Sequence, residues 1–236
     1  MFDINEIIQV FKESITTNIL ALCLGFMIVS LVFWFIKDRL TTDISKQTSL
    51  IVLVAVTALY IIVFTWLTWY KYEVFNPGIY DLGNMTQAMW NTLHGRPLEM
   101  STFYPVNTRL FFHVEPIFLV LAPLYALWQD PKMLLFLQTV ILALGALPVY
   151  LIAREKFNHN KSALFLGISY LLLPAIHQGN VFDFHPLVLG TPLILFGFYF
   201  ALKNKAGLSI IFFLLATMCR EEIAFMVFLF GLYLVF

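Results

Sequence analysis

The sequence predicts an all-α integral membrane protein, a polytopic helical bundle that forms one transmembrane domain over residues 1–236. Hydrophobic residues make up 61% of the chain and charged residues only 12%, whereas a soluble domain has about 25% charged residues. Several apolar runs also reach the roughly 17–25 residues that a helix needs to cross a bilayer. This composition excludes a soluble enzyme, and a formal net charge of zero argues against nucleic acid as a partner.

The apolar runs define the predicted spans. They lie at about 18–36, 50–70, 133–153, 162–179, 186–202, 207–219 and 223–236. The run 206–236 is too long for one span and too short for two complete ones, since a helix rises about 1.5 Å per residue. We therefore expect the last span to be incomplete and the chain to be the N-terminal part of a longer protein.

Basic residues in the short loops predict the orientation. The segments KDRLTTDISKQTS, REKFNHNK and KNK hold eight of the 14 Lys and Arg residues, and such loops face the cytoplasm. This placement requires residues 113–128 to lie in the interface or re-enter rather than cross. We then expect a multi-pass cell-membrane protein with its N-terminus outside and an outer loop at 71–132 that carries interfacial helices.

The orientation gathers the polar residues at the non-cytoplasmic face. Asp81 opens the segment YDLGNMTQAMWNTLHG, whose apolar residues share one helical face. We expect this helix to lie along the outer leaflet with its apolar face towards lipid. From local sequence, Asp81 is either the N-cap of this helix or a catalytic carboxylate.

The same outer loop holds further candidates. His113 and Glu115 precede an apolar run and are either ligands of a metal or substrate hydroxyl, or a solvated helix start. Arg96 and Arg109 are either phosphate-binding residues or arginines that meet solvent and lipid headgroups.

Two later segments also concentrate polar residues near span ends. HQGNVFDFHP contains Asp183 and His185, which suit either a solvated turn or a divalent ion. CREE places Arg220 and Glu221 between apolar runs, where an arginine binds phosphate or extends towards the membrane surface. These residues complete the predicted substrate-binding set.

The order of motifs resembles a known family. YDLGNMTQAMWNTLHGRP, FHVEPIFLVLAPLYALW, PAIHQGNVFDFHPL and CREEIAF follow one another from about Tyr80 to the C-terminus. This pattern resembles a prokaryotic family of polytopic membrane proteins of unknown function. That family is in turn similar to the GT-C class of membrane glycosyltransferases, which includes protein O-mannosyltransferases and the aminoarabinose transferase of lipid A.

The resemblance implies a GT-C-like fold with amphipathic helices in the first outer loop. It places Asp81 at the catalytic or metal-binding position of that class, and a later outer acid at Asp183. A divalent ion, if one is used, would be held by residues from the set Asp81, His113, Asp183 and His185. Leu82 follows Asp81 where many GT-C enzymes have a second acid.

The functional hypothesis is a membrane glycosyltransferase that moves a sugar from a polyprenyl-phosphate-linked donor to an acceptor at the non-cytoplasmic face. The expected partners are this donor and membrane lipid. The alternatives are a transporter or flippase for lipid-linked sugars, since charges within membranes also mark substrate paths, and a non-catalytic membrane scaffold.

Overall fold

The computed structural model describes residues 42–76, 79–103 and 105–235. The predicted span at 18–36 and the predicted position of the N-terminus lie outside these residues. In chain order the described helices are α1 (Lys46–Glu73), α2 (Asn84–Leu93), α3 (Ile117–Tyr125), α4 (Pro131–Leu144), α5 (Ala146–Phe157), α6 (Asn160–Leu171), α7 (Pro174–Val181), α8 (Pro186–Leu202), α9 (Ala206–Thr217) and α10 (Glu221–Val235). The prediction of an all-α membrane fold is confirmed.

Three helical stretches are long and apolar enough to cross a membrane. They are Lys46–Glu73, Pro131–Phe157 and Asn160–Val181. The second joins α4 to α5 through Gly145, and the third joins α6 to α7 ahead of Pro174. The shorter apolar helices α8 and α9 pack against each other, and the break at 218–220 separates α9 from α10.

Local sequence explains where several helices begin and end. Ser45 caps α1 by accepting a hydrogen bond from the Thr48 backbone N–H at 3.0 Å. Asp130 caps α4 in the same way, and Pro131 occupies the first helical position, where its missing N–H costs nothing. Asn158 ends α5 in the left-handed conformation at φ 48°, which Asn tolerates better than most residues.

One end of the bundle collects the basic loops. Ser49, near the start of α1, hydrogen-bonds the Tyr150 hydroxyl of α5 at 2.7 Å. Lys203, after α8, forms an ion pair with Glu155 near the end of α5. One end of the bundle therefore contains the start of α1, the α5–α6 turn and the α8–α9 turn. We call it the basic end.

The opposite end, which we call the polar end, carries the loop between α1 and α4. The Trp69 indole N–H donates to the Lys132 carbonyl at 3.1 Å, and Lys132 pairs with Glu73. The loop thus leaves and rejoins the helices at one end. Its helix α3 has nine residues, about 14 Å at 1.5 Å per residue, which is less than half of a bilayer core of about 30 Å.

The outer loop folds against itself instead of spreading on lipid. Leu82, Met85 and Met89 are at most 2% exposed and belong to the same apolar core as Phe118 and Leu121 of α3. The expectation that this apolar face meets the outer leaflet is therefore wrong. Periodicity identifies an apolar face, but a neighbouring helix can cover that face as well as lipid can.

A short hairpin, which the sequence did not predict, closes the other side of α2. β1 (Glu99–Phe103) pairs antiparallel with β2 (Val106–Thr108), with Glu99 opposite Thr108. The Asn91 side chain donates to the Glu99 carbonyl at 2.9 Å. This bond ties the hairpin to α2, so the polar face of α2 is partly buried too.

We expect single cysteines at Gln129 and Gln178 to react with an impermeant thiol reagent from one side of the membrane, and one at Lys205 from the other. All three residues are exposed, and the first two lie at the polar end. The measurement uses intact cells that express the full-length protein with Cys23 and Cys219 replaced. Labelling of Gln129 and Gln178 from opposite sides would contradict this arrangement.

Candidate functional site

The polar end contains two clusters of charged side chains. The first, the Asp81 cluster, contains Lys71, Asp81, Asp183 and His185. The second, the Arg220 cluster, contains His113, Arg220, Glu221 and Glu222. The predicted residues Arg96, Arg109 and Glu115 belong to neither cluster.

Asp81 lies in a π-helical turn, Ile79–Gly83, between α1 and α2. Gly83, not Asp81, is the residue that precedes α2, so the capping alternative does not apply to this helix. The Asp81 carboxylate is 3.3 Å from the His185 Nε2 atom, and its side chain is 39% exposed. Asp81 therefore presents a carboxylate that touches a histidine and is still open to solvent.

His185 is positioned by a buried amide from α4. The Gln138 Oε1 atom accepts a hydrogen bond from the His185 backbone N–H at 2.8 Å. The Gln138 Nε2 atom faces the carbonyls of Gly179, Asn180 and Asp183 at 3.2, 3.3 and 3.0 Å. The Gln138 side chain thus contacts backbone groups on both sides of the break between α7 and α8.

A second polar chain supports the same break. The Thr139 hydroxyl donates to the Asn180 side-chain oxygen at 2.9 Å, and the Asn180 amide donates to the Tyr60 hydroxyl at 3.3 Å. Thr139 and Asn180 are fully buried. Their hydrogen bonds satisfy polar groups that would otherwise be costly at this depth.

Sequence reasoning missed Lys71, Gln138 and Thr139. Lys71 donates to the Asp183 carboxylate at 2.8 Å and to the Val181 carbonyl at 3.1 Å, and Asp183 is only 6% exposed. A signal for Gln138 and Thr139 was available, because adjacent polar residues inside an apolar span usually face other protein groups. Lys71 gave no such signal, since basic residues commonly flank spans.

In the Arg220 cluster, the two neighbours of His113 determine which of its ring nitrogens carries the proton. The Arg220 Nη2 atom is 3.0 Å from the His113 Nε2 atom, and the His113 Nδ1 atom is 2.9 Å from a Glu221 carboxylate oxygen. Arginine can only donate, so Nε2 accepts and Nδ1 carries the proton that it donates to Glu221. The other Glu221 oxygen accepts from the Val114 backbone N–H at 2.9 Å.

Arg220 also faces Glu222. Its Nε atom is 2.9 Å from a Glu222 oxygen, although the alignment is too poor for a hydrogen bond. Arg220 is 20% exposed and Glu222 is 57% exposed. The guanidinium thus lies between His113 and Glu222, and its Nε atom is buried although the Arg220 side chain as a whole is part-exposed.

The other predicted arginines make separate contacts. Arg109 and Glu115 form a buried ion pair at 2.6 Å, so the positive charge of Arg109 is already balanced inside the protein. Arg96 is exposed, donates to the Asn91 side chain at 2.6 Å and lies 5.7 Å from the Trp90 ring centre. It stays accessible from solvent.

The predicted metal ligands are not gathered into one site. Asp183 pairs with Lys71, and His113 is engaged by Glu221 and Arg220, while Asp81 and His185 touch each other. Within the described ranges, the three side chains that could jointly reach a metal are His113, Glu221 and Glu222. Arg220 occupies His113 Nε2 and faces Glu222, so a metal would have to displace a cation that is already there. This arrangement favours the Arg220 guanidinium over a metal ion at these three side chains, and metal binding stays a prediction.

The polar end lies within the part of the chain that matches a known family. Residues 71–236 match the family described as Predicted membrane protein (DUF2079). The chain belongs to this family. Comparisons with curated proteins and with solved structures gave no match.

Membership in DUF2079 shows that the chain is a membrane protein. The match begins at Lys71, which pairs with Asp183, and includes both clusters at the polar end. Most of helix α1 precedes the matched residues. The sidedness of the two ends stays a prediction.

We expect Gln138→Leu to lower the free energy of unfolding by about 2–4 kcal/mol, because the buried His185 N–H and nearby carbonyls lose their partner. Thermal or denaturant unfolding of the purified full-length protein in detergent measures the change. Gln47→Leu, at an exposed position near the start of α1, is the matched control. Equal effects of the two substitutions would contradict the role of Gln138.

We expect the contact between Glu221 and the outer loop to persist in moderate acid. The hydrogen bond from His113, followed by backbone N–H groups, lowers the pKa of the Glu221 carboxyl from 4.5 to about 2. A lowered pKa means that the contact stabilises the fold above about pH 4.5 and is lost as the pH falls through about 2.

Hydrogen exchange of the Val114 amide, corrected for intrinsic rates, tests this expectation. The protection should fall with a midpoint near pH 2 in the wild type. Glu221→Gln should remove that transition. A midpoint near 4.5, or the same transition in the variant, would show that Glu221 does not hold the loop.

Proposed function

We propose that this DUF2079 protein is a membrane glycosyltransferase that uses a polyprenyl-phosphate-linked sugar at the non-cytoplasmic face. The observation that carries the proposal is the Asp81–His185 pair, a part-exposed carboxylate held against a histidine at the polar end. Such a pair suits proton transfer from a substrate hydroxyl. The basic loops at the opposite end support the assignment of the polar end to the outside.

In the proposed reaction, Asp81 accepts the proton of an acceptor hydroxyl as its oxygen attacks the anomeric carbon of the sugar. The bond from that carbon to the phosphate oxygen breaks, and the polyprenyl phosphate leaves with the bonding electron pair. His185 adjoins the Asp81 carboxylate and is itself held by Gln138. Its role is to orient Asp81 and to share the proton that Asp81 receives.

The leaving phosphate needs positive charge. Arg220 is the first candidate, because its side chain is 20% exposed and a guanidinium can donate to phosphate oxygens. Exposed Arg96 is the alternate. Buried Arg109 is a weaker candidate than the sequence suggested, since Glu115 neutralises it at 2.6 Å.

A transporter or flippase for lipid-linked sugars is the rival function. It requires polar groups along the depth of the spans. In the described stretches Lys46–Glu73, Pro131–Phe157 and Asn160–Val181, every charged residue lies within four residues of an end. Tyr60, which lies deeper inside its stretch, accepts a hydrogen bond from the Asn180 side chain near the end of another. This distribution favours chemistry at one surface.

We expect Asp81→Asn in the full-length protein to reduce sugar transfer by at least about 100-fold, the usual contribution of a general base. The assay uses membrane vesicles and polyprenyl phosphates that carry radiolabelled mannose, glucose or arabinose. Asp43→Asn, an exposed substitution in the loop before α1, is the matched control.

Unchanged turnover in Asp81→Asn would overturn the assignment of Asp81. Movement of the labelled lipid between leaflets without any transfer would instead establish the flippase. If Asp81→Asn altered only the thermal stability of the protein, the scaffold alternative would be favoured.

A further inference from the structure

A large open cleft lies at the polar end, apart from both charged clusters. Its volume is about 1030 Å³, and it runs between the last turn of α1 and the face of α2. None of its described lining residues belongs to the Asp81 or Arg220 cluster. The cleft is therefore distinct from both clusters, although its lining residues Leu82 and Gly83 directly follow Asp81 in the chain. Its volume is at the upper end of the size range of small-molecule sites.

Aromatic rings form much of the wall. They come from three segments of the chain, the end of α1, α2 and α3, and are Tyr72, Phe75, Trp90 and Tyr125. Phe75 is 96% exposed, so its ring is available to a ligand. Trp90 is 41% exposed but stacks on His94, with the ring centres 3.8 Å apart, so only part of its ring can meet a ligand. Aromatic rings with a negative face attract polarised C–H groups, such as those on the faces of a pyranose ring.

Amide and hydroxyl groups lie among these rings. Thr86, Gln87 and Gln129 line the cleft. Gln87 is held in place by two hydrogen bonds to Ser101 of β1, at 2.8 and 3.0 Å. Gln129 is exposed, and its side chain makes no hydrogen bond to the described part of the protein. Its amide can therefore both donate to and accept from a ligand.

The charged side chains near the cleft favour a neutral ligand over an ionic one. Among the described residues that line the cleft there is no Lys or Arg. The Arg96 guanidinium lies 5.7 Å from the ring centre of the lining residue Trp90, but it already donates to the Asn91 side chain and faces Glu99 at 3.9 Å. Glu73 is the acid in the lining, and Lys132 already neutralises it. The Lys132 ammonium also lies 5.7 Å from the Tyr72 ring centre, where a cationic ligand would otherwise bind.

We propose that this cleft binds a neutral saccharide. Aromatic faces, amides and hydroxyls without a free charge match a ligand that has apolar ring faces and many hydroxyl groups. The cleft would then hold the acceptor sugar and not the donor, because the donor carries a phosphate. That role in transfer rests on the proposed function, whereas binding of the saccharide rests on the lining alone.

Binding is tested with methyl α-glucopyranoside, methyl α-mannopyranoside and methyl α-galactopyranoside. The full-length protein is placed in lipid nanodiscs, which avoids sugar-based detergents, and saturation-transfer NMR measures the titration. We expect saturable binding of at least one probe, without competition from inorganic phosphate. Gln129→Ala should weaken binding about 5-fold, the effect of one hydrogen bond, and Gln47→Ala, at the basic end, should not change it.

A second variant tests the location. Thr86→Trp fills the cleft from α2 and should abolish binding, whereas Trp66→Ala, at an exposed ring of α1 away from the cleft, should leave it unchanged. No saturable binding of any probe by the wild type would overturn the proposal. Binding that Gln129→Ala and Thr86→Trp leave unchanged would overturn it as well.

Different results would overturn the saccharide cleft and the proposed glycosyltransferase. Asp81→Asn should bind the saccharide as the wild type does, because Asp81 is not part of the lining. Saccharide binding without any sugar transfer would leave the cleft assigned and the glycosyltransferase overturned. Transfer that proceeds normally in Thr86→Trp would leave the enzyme assigned and overturn the role of the cleft as the acceptor site.

Discussion

Backbone groups that leave a helix inside or beside a membrane must find partners within the protein, and this requirement organises the polar end. The chain breaks between α7 and α8 at residues 182–185, where carbonyls and one N–H lose their helical partners. Gln138 satisfies four of these groups, from Gly179 to His185. The same amide thereby fixes the backbone that carries Asp183 and His185 to their partners Lys71 and Asp81.

The outer loop is held by a comparable set of polar contacts at its other side. The Ile117 N–H, at the start of α3, donates to the Met218 carbonyl at 2.9 Å, just after α9. Glu221 binds His113 and the Val114 N–H, and Arg220 completes the cluster. Because the short helix α3 cannot cross the bilayer, these contacts connect it to the transmembrane helices and orient the loop above them.

Three chemically different surfaces result at one end of the bundle. The Asp81 cluster offers a carboxylate and a histidine, the Arg220 cluster offers a part-exposed arginine side chain, and the cleft offers aromatic and amide groups without a free charge. Proton transfer, phosphate binding and saccharide binding need these three kinds of group. Their presence at one end, opposite the basic loops, is the physical basis for considering them parts of one activity.

The sequence by itself determined the membrane class, the three apolar stretches that the structure shows to be long helices and the set of polar segments at the polar end. Hydropathy, loop charge and residue type depend on position along the chain, so they can be recognised without a structure. Tertiary structure alone decided the partners. Asp81 meets His185 more than a hundred residues away, Arg109 forms a buried ion pair with Glu115, and Lys71 pairs with Asp183. The apolar face of α2 is covered by α3 instead of lipid, because periodicity specifies that a face is buried and only packing specifies against what.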